Sequence, residues 1–195
     1  MRGKAFFYSF KTKVTLVLIL GMVFVTGLNN YFVYHFNLTS HFEQLRHSLK
    51  IIAQMAALAV DAEKLQDIPK TWDGVRSPAY REVAATLQKV LEMNKPLQYI
   101  YILERTKIPE KLRFLVDVEV PPAPGHRRKT SARPGDLYDA SRFPEMMEGF
   151  TAPSADRKLQ GDAWGVTLSG YAPIADQDGK VIAILGVDIL ADDIQ

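Results

Sequence analysis

A hydroxyl, a phenol and a carboxylate fall on one face of a predicted hairpin near the end of the chain. The strands cover 164–175 and 180–189, and the turn 176–179 between them has the composition of a tight hairpin. A four-residue loop pairs Ala175 with Lys180. Counting outward then gives these opposed pairs: Thr167 with Asp188, Ser169 with Gly186, and Tyr171 with Ile184. A few polar groups among small residues are suited to binding a small molecule.

The other face of the same hairpin is aliphatic. It carries Val166, Leu168, Ala172, Ala183, Leu185 and Val187. A slip of one residue would exchange the two faces, and this uniform set makes such a slip costly. One face is therefore predicted to be core and the other the floor of a pocket. The alternative is that Asp188 only accepts backbone hydrogen bonds at the strand end and that Tyr171 packs under a loop.

Two earlier strands must position the rest of such a pocket. Residues 97–103 are apolar on both faces, which predicts a central strand that includes Tyr101. Residues 113–120 alternate. One face receives Phe114, Val116, Val118 and Val120, and the other Arg113, Leu115, Asp117 and Glu119. A long loop rich in proline, glycine and basic residues follows over 123–137, and a short helix is predicted over 144–148.

Two helices precede the first strand. Ser77 and Pro78 form an N-cap and first-turn signal for a helix that runs to about Met93. Before it, a helix over 37–66 carries two apolar stripes, at Leu38, Phe42, Leu45, Leu49, Ile52, Ala56 and Ala59, and at Ile51, Met55, Leu58, Ala62 and Leu65. We expect one stripe to contact the chain's own domain and the other a second copy, giving a homodimer. The alternative is that both stripes pack within one chain.

The N-terminal region has the pattern of a membrane anchor. An apolar run covers 14–28, with four Lys or Arg residues before it and aromatic residues at both ends. The expected organisation is a cytoplasmic segment over 1–13, a transmembrane helix over 14–36 and an extracytoplasmic domain over 37–195. A cleaved secretory signal is the alternative.

Composition excludes several classes of function. The 195 residues include no cysteine, so disulfides and thiolate chemistry are absent, and a formal net charge of +2 gives no reason to expect a nucleic-acid partner. The four histidines lack metal-ligand spacing, and the chain has neither a phosphate-binding loop nor a nucleophile elbow. We predict no catalytic residue, no metal site and no cofactor. An exported hydrolase would need convergent carboxylates or histidines.

Several short motifs together resemble a known family. They are Pro134–Asp139, Phe143–Met147, Trp164–Gly165, Ser169–Ile174, Asp178–Gly179 and Leu185–Ile189. In this combination the chain, over roughly 38–189, is similar to the extracytoplasmic Cache (PDC, PAS-like) sensor domains of bacterial transmembrane receptors. The resemblance implies an α+β fold in which a long helix packs on an antiparallel sheet and a ligand binds on the opposite face.

The resemblance also implies a ligand site. In amino-acid-binding members the aspartate of the terminal Gly-Val-Asp strand contacts the ligand amine, which corresponds to Asp188. Aromatic residues and an arginine on neighbouring strands complete the site. The full set of candidate ligand-binding residues is Tyr101, Arg113, Asp117, Tyr138, Asp139, Trp164, Thr167, Ser169, Tyr171 and Asp188. An amino acid, a carboxylate and other small metabolites remain candidate ligands.

The expected function is the sensing and anchoring part of a bacterial signal-transduction receptor in the inner (cytoplasmic) membrane. Its output would be a cytoplasmic effector outside this chain, such as a diguanylate cyclase, a cyclic-dinucleotide phosphodiesterase or a histidine kinase, so we expect the chain to be a fragment. The competing hypothesis is a membrane-anchored dimer that binds another protein and no small ligand.

Overall fold

The computed structural model describes residues 10–120, 131–162 and 165–193, and these form an α+β fold as predicted. The helices are α1 (Phe10–Leu58), α2 (Ala62–Gln66), α3 (Pro78–Met93) and α4 (Pro144–Glu148), with 3-10 turns at Trp72–Arg76 and Ala191–Asp193. The strands are β1 (Tyr99–Arg105), β2 (Lys111–Glu119), β3 (Leu137–Asp139), β4 (Ser154–Ala155), β5 (Gln160–Asp162), β6 (Gly165–Ala175) and β7 (Val181–Leu190). Both α3 and α4 have their predicted bounds.

The chain divides into two compact units, Met1–Gln44 and Leu45–Gln195. In the first unit residues 10–44 are helical, and the side chains of residues 10–37 are exposed and largely apolar. By length and composition, α1 contains the one described stretch that is long and apolar enough to cross a membrane.

The long helix ends earlier than predicted. It stops at Leu58, and the segment to residue 66 continues as the separate helix α2. Asp61 causes the restart because its backbone is extended and its Oδ1 accepts hydrogen bonds from the amides of Glu63 at 3.0 Å and Lys64 at 3.4 Å. An aspartate that caps a new helix cannot continue the preceding one.

The strands form one antiparallel sheet in the order β3-β2-β1-β7-β6-β4, with β5 also paired to β6. β1 and β7 are therefore central, as the two apolar faces of β1 predicted.

The hairpin of β6 and β7 has a register two residues away from the predicted one. Ser169 lies opposite Asp188 and Tyr171 opposite Gly186, while Thr167 pairs with Leu190. One residue of the difference comes from the turn, which includes Lys180, and the other from a bulge beside Ala175. A shift of two preserves the side of each residue, so the predicted division into two faces is retained.

A second bulge changes the faces of β2. Ile102 pairs with Val116 but Leu103 pairs with Phe114, which leaves Leu115 as the extra residue. Beyond the bulge the alternation is inverted. Phe114 therefore shares a face with Asp117, and Arg113 lies on the opposite face, contrary to the alternation predicted for residues 113–120.

The two faces of the sheet have different cores. On one face α1 packs closely on β6, where a Cβ added to Gly170 would lie 2.6 Å from the carbonyl carbon of Leu49. The other face is covered by α4 and by side chains of the segments on either side of it. Its buried cluster comprises Tyr99, Tyr101, Leu103, Leu112, Phe114, Ala132, Tyr138, Ala140, Phe143, Met146, Phe150, Tyr171 and Ile184.

Candidate functional site

A cavity opens on the face of the sheet that is covered by α4. Its empty volume is about 340 Å³ when its open mouth is included. The lining residues are aromatic, apolar or acidic. They are Tyr99, Tyr101, Leu103, Phe114, Asp117, Tyr138, Met146, Asp162 and Asp188.

Asp188 of β7 is the most deeply placed carboxylate in the cavity wall. Its residue is only 8% exposed, and its Oδ1 accepts a hydrogen bond of 3.1 Å from the hydroxyl of Tyr101. Burial raises the pKa of Asp188 well above its ordinary value, while hydrogen bonds from Ser169 and Tyr101 oppose that rise. Asp188 is therefore a buried carboxyl group whose ionised form is poorly compensated.

Tyr101 is positioned by a glycine on the neighbouring strand. It pairs with Gly186, and a Cβ at Gly186 would lie 2.3 Å from the Tyr101 ring. No other residue type allows the ring to lie on the β7 backbone in this way. Burial and the nearby Asp188 raise the pKa of Tyr101 well above its ordinary value, so its phenol remains a proton donor.

Asp117 provides a second buried carboxylate, from β2. Its Oδ2 accepts a hydrogen bond of 2.7 Å from the backbone amide of Ala132. Burial raises the pKa of Asp117 to about 7, although the Ala132 amide acts in the opposite direction. This bond also ties the segment that precedes β3 to the sheet.

Tyr138 and Asp162 form the outer part of the wall. The Tyr138 hydroxyl donates to Oδ2 of Asp162 at 3.0 Å, and burial raises the pKa of Tyr138. Edge-to-face contacts connect Phe114 to Tyr101 and to Tyr138, with ring centroids 6.1 and 6.0 Å apart. The aromatic wall is thus continuous from the buried carboxylate to the mouth.

Two predicted residues lie behind this wall. Ser169 and Tyr171 are buried on the same face, and both contact Asp156, a fully buried residue that the sequence did not single out. Asp156 accepts from the Ser169 amide at 3.0 Å and from the Tyr171 hydroxyl at 3.3 Å. Burial raises the pKa of Asp156 to about 7, against these hydrogen bonds.

The remaining predicted residues do not line the cavity. Arg113 projects from the opposite face because of the β2 bulge, and its Nη1 lies 2.9 Å from Oε1 of Glu104. Asp139 is exposed and pairs with Lys111 at 2.6 Å, which lowers its pKa. Thr167 shares the face of Asp188 and is buried outside the lining. Trp164 lies outside the described residues.

Five lining residues were absent from the prediction: Tyr99, Leu103, Phe114, Met146 and Asp162. Tyr99 and Leu103 lie two residues before and after Tyr101 on β1, so they share its face of the strand. The sequence pattern of β1 was therefore sufficient to identify them. Phe114 reaches the cavity only through the bulge, whereas Met146 and Asp162 arrive from α4 and β5 by tertiary packing. Within 10–120, 131–162 and 165–193, no three acidic or histidine residues are arranged to share a metal ion.

Comparison with known proteins gives fold neighbours and no close relative. No family model and no curated protein matches the chain. The ligand-binding domain of the Campylobacter jejuni chemoreceptor Tlp3, crystallised with 4-methylisoleucine, is 18% identical with a TM-score of 0.50. The same domain with L-norvaline is 16% identical with a TM-score of 0.51.

Both matches cover 80% of this chain and 55% of the Tlp3 chain, so the chain spans about half the length of these neighbours. At such identities the likeness concerns the fold. The shared features are the long helix and the antiparallel sheet. The chain therefore has the fold of a Cache-like (PAS-like) sensor domain, as its motifs predicted.

Proposed function

We propose that this chain is the ligand-sensing part of a membrane receptor and that a small molecule binds in the cavity between the sheet and α4. The observation that carries the proposal is the buried pair of Asp188 and Tyr101 at the base of an aromatic wall. A buried carboxylate with a poorly compensated charge is costly to fold, and such groups are common at binding sites.

The alternative of a protein-binding module without a ligand receives less support. A protein-binding module would be expected to expose an apolar face of the last hairpin to its partner. Instead, β6 and β7 are buried along most of their length, on both faces. A covered cavity next to a buried hairpin suits a small ligand better than a protein surface.

The proposed location of the domain is extracytoplasmic, anchored in the inner membrane. The apolar part of α1 supports an anchor, with residues 14–36 as the span and residues 1–13 on the cytoplasmic side. The positive charges before the apolar run favour this orientation.

The proposed assembly is a homodimer formed through α1. Leu49, Ala53 and Ala56 pack within the chain, whereas Met55 and Leu58 are 64% and 79% exposed. The exposed side chains belong to the second of the two predicted stripes. A second copy of the chain would cover them.

Signal transfer would use the attachment of α1 to the sheet. Arg46 of α1 donates to the carbonyl oxygens of Asp156 at 2.7 Å and Ala155 at 3.2 Å. Asp156 in turn contacts Ser169, which pairs with Asp188 in the cavity. A ligand that favours one arrangement of this network would shift α1 by population shift, toward a cytoplasmic effector.

A thermal-shift screen of amino acids, amines and organic acids against the full chain in detergent tests the function. A ligand is expected to raise the melting temperature of the full chain and to lose this effect in Asp188→Asn. Asp178→Asn, which changes an exposed carboxylate in the β6–β7 turn, should retain it. The proposal fails if no compound of any charge shifts the transition.

A further inference from the structure

Two buried carboxyl groups lie on either side of Ser169. Ser169 of β6 is opposite Asp188 of β7, and its amide donates at 3.0 Å to Oδ2 of Asp156, the residue that follows β4. The Asp156 amide donates back to the Ser169 carbonyl oxygen at 2.9 Å. All three residues are buried. Asp188 belongs to the cavity wall and Asp156 lies behind it, so Ser169 connects the two positions.

The hydroxyl of Ser169 forms hydrogen bonds with both carboxyl groups. A serine hydroxyl has one proton to donate and two lone pairs with which to accept. It therefore cannot donate to Asp156 and to Asp188 at the same time. Both bonds are satisfied when one carboxyl group is protonated and donates to Ser169, while Ser169 donates to the other, ionised carboxyl group.

The surroundings of Asp156 make its ionised form costly. Burial raises the pKa of Asp156 to about 7, against the hydrogen bonds from Ser169, and the charge of Glu145 adds to the rise. In the described part of the chain, the titratable or charged groups around Asp156 include Asp188, Tyr171 of β6, which donates to its Oδ1, Glu145 of α4 with its partner Arg157, and Arg46 of α1, which binds its carbonyl oxygen.

The surroundings of Asp188 have the same effect. Burial raises the pKa of Asp188 well above its ordinary value, and the charge of Asp156 raises it further, against hydrogen bonds from Ser169 and Tyr101. The titratable groups around Asp188 include Tyr99 and Tyr101 of β1, Asp117 of β2, Tyr138 of β3, Asp162 of β5 and Tyr171 of β6. Two carboxyl groups that interact in this way release their protons as a pair, and the second proton leaves at a higher pH than the first. Between the two steps the pair holds one negative charge.

We propose that Asp156, Ser169 and Asp188 form a proton relay that holds one negative charge and allows it to reside at either carboxyl group. To move the charge from Asp156 to Asp188, the O–H bond of the Asp188 carboxyl group breaks and its proton passes to Oγ of Ser169. The original Ser169 proton passes to Asp156, where a new O–H bond forms. The relay neither gains nor loses a proton, and both hydrogen bonds reverse their direction.

The relay connects the cavity to the attachment of α1. Asp188 lines the cavity, and Asp156 lies in the segment whose carbonyl oxygens Arg46 binds. An occupant of the cavity that changes the cost of a charge at Asp188 therefore changes the charge at Asp156 by population shift. This consequence rests on the proposed sensing function, whereas the relay itself needs no ligand.

A pH titration of the full chain in detergent, without ligand, tests the relay. Carbon-13 NMR of chains labelled at the aspartate carboxyl carbons follows each group, and the Asp156→Asn and Asp188→Asn variants assign the two signals by their loss. In the wild-type chain both signals should respond in a common first step near pH 7. In Asp156→Asn the charge has only Asp188 left, so the midpoint of the Asp188 titration should fall by at least about one pH unit.

Serine variants separate the relay from ordinary packing. Ser169→Ala removes the bridging hydroxyl, so the first step should be confined to one of the two carboxyl signals. Ser154→Ala is the matched control, because this buried hydroxyl on β4 donates instead to the carbonyl oxygen of Glu145 at 2.6 Å. It should leave both titrations unchanged. Asp156→Asn, which keeps the size of the side chain, keeps the test informative if Ser169→Ala fails to fold.

Independent behaviour of the two carboxyl groups would overturn the relay. The decisive result is an Asp188 midpoint that Asp156→Asn leaves in place. Equal effects of Ser154→Ala and Ser169→Ala on the two titrations would also rule it out. Neither result concerns ligand binding, so the thermal-shift screen decides the sensing function separately.

Discussion

The hydroxyl of Tyr101 donates a hydrogen bond of 3.1 Å to the carboxylate of Asp188 on the neighbouring central strand. The two residues are diagonal neighbours, because Tyr99 lies opposite Asp188 and Tyr101 lies opposite Gly186. The pairing brings a phenol and a carboxylate that are far apart in the chain to the base of one cavity. The consequences can be measured.

The carboxylate of Asp188 should reduce the stability of the free protein. Asp188→Asn keeps the size of the side chain and an acceptor for Tyr101 but removes a carboxyl group whose ionisation is disfavoured by burial. We expect the free energy of unfolding at pH 8 to rise by about 1 to 3 kcal/mol, measured by urea denaturation. The gain should shrink toward pH 4, where the unfolded aspartate is also protonated. A loss of stability at pH 8 would contradict this account.

Stability should increase as the pH falls from 8 to about 5. Asp117 and Asp156 have folded pKa values of about 7, above the value of roughly 3.9 for an unfolded aspartate. Between these values the folded state holds more protons at Asp117 and Asp156, so their contribution to the free energy of unfolding declines as pH rises and levels off above 7. At about 1.4 kcal/mol per pKa unit, each of the two residues lowers the free energy of unfolding at pH 8 by at most about 4 kcal/mol relative to its value near pH 4.

Below about pH 4 the trend should reverse. Pairing with Lys111 lowers the pKa of Asp139 in the folded protein. The contribution of this pair to stability is therefore complete above the ordinary pKa of an aspartate, and it is lost as the pH falls through the lower pKa of the folded state. Melting temperatures across pH 3 to 9 should therefore pass through a maximum near pH 4 to 5. Asp117→Asn and Asp156→Asn should each flatten the slope between pH 5 and 7, and an unchanged slope in both variants would rule out their role.

Two glycines on opposite faces of the sheet should respond differently to alanine. A Cβ at Gly170 would collide with the backbone of Leu49 and push α1 away from β6. A Cβ at Gly186 would collide with the ring of Tyr101. We expect Gly170→Ala to cost about 1 to 3 kcal/mol of stability. Gly186→Ala should also abolish ligand binding in calorimetry. Gly161→Ala, where a Cβ has only an ordinary contact at 3.9 Å, is the control.

Arg46 should hold β4 in place. Arg46→Lys keeps the charge but cannot donate to two carbonyl oxygens in the same planar geometry. The expected effect is a loss of about 1.5 to 3 kcal/mol, together with faster hydrogen exchange at residues 154–156. Arg81→Lys, at an exposed position on α3, serves as the comparison. Unaltered exchange at residues 154–156 in Arg46→Lys would show that the guanidinium does not secure this strand.

The exposed stripe on α1 should control dimerisation. Met55→Glu is expected to convert a dimer into a monomer, measured by light scattering in detergent, without loss of thermal stability because Met55 is 64% exposed in the single chain. Met93→Glu changes another exposed methionine, on α3, and should leave the dimer intact. A monomeric wild-type chain, or equal effects of both substitutions, would argue against assembly through α1.

Local signals accounted for much of this fold. The Ser77–Pro78 start fixed α3, the apolar faces of β1 placed it at the centre of the sheet, and the aliphatic set on β6 and β7 decided which side faces the core. The site was less accessible to such reasoning. Asp188, Tyr101, Tyr138 and Asp117 were identified, but Phe114 and Arg113 were assigned to each other's faces because a bulge leaves no mark in an alternating pattern.

The sequence by itself determined the main helices, the strands β1, β2, β6 and β7 in their order, and the division of the β6–β7 hairpin into two faces, because these follow from the spacing of apolar residues along a single segment. Tertiary structure decided the register of the hairpin, the exclusion of Arg113 from the cavity, and the arrival of Met146 and Asp162 at its wall. These depend on bulges and on contacts between residues distant in the chain, where the packing of the whole sheet selects among locally equivalent arrangements.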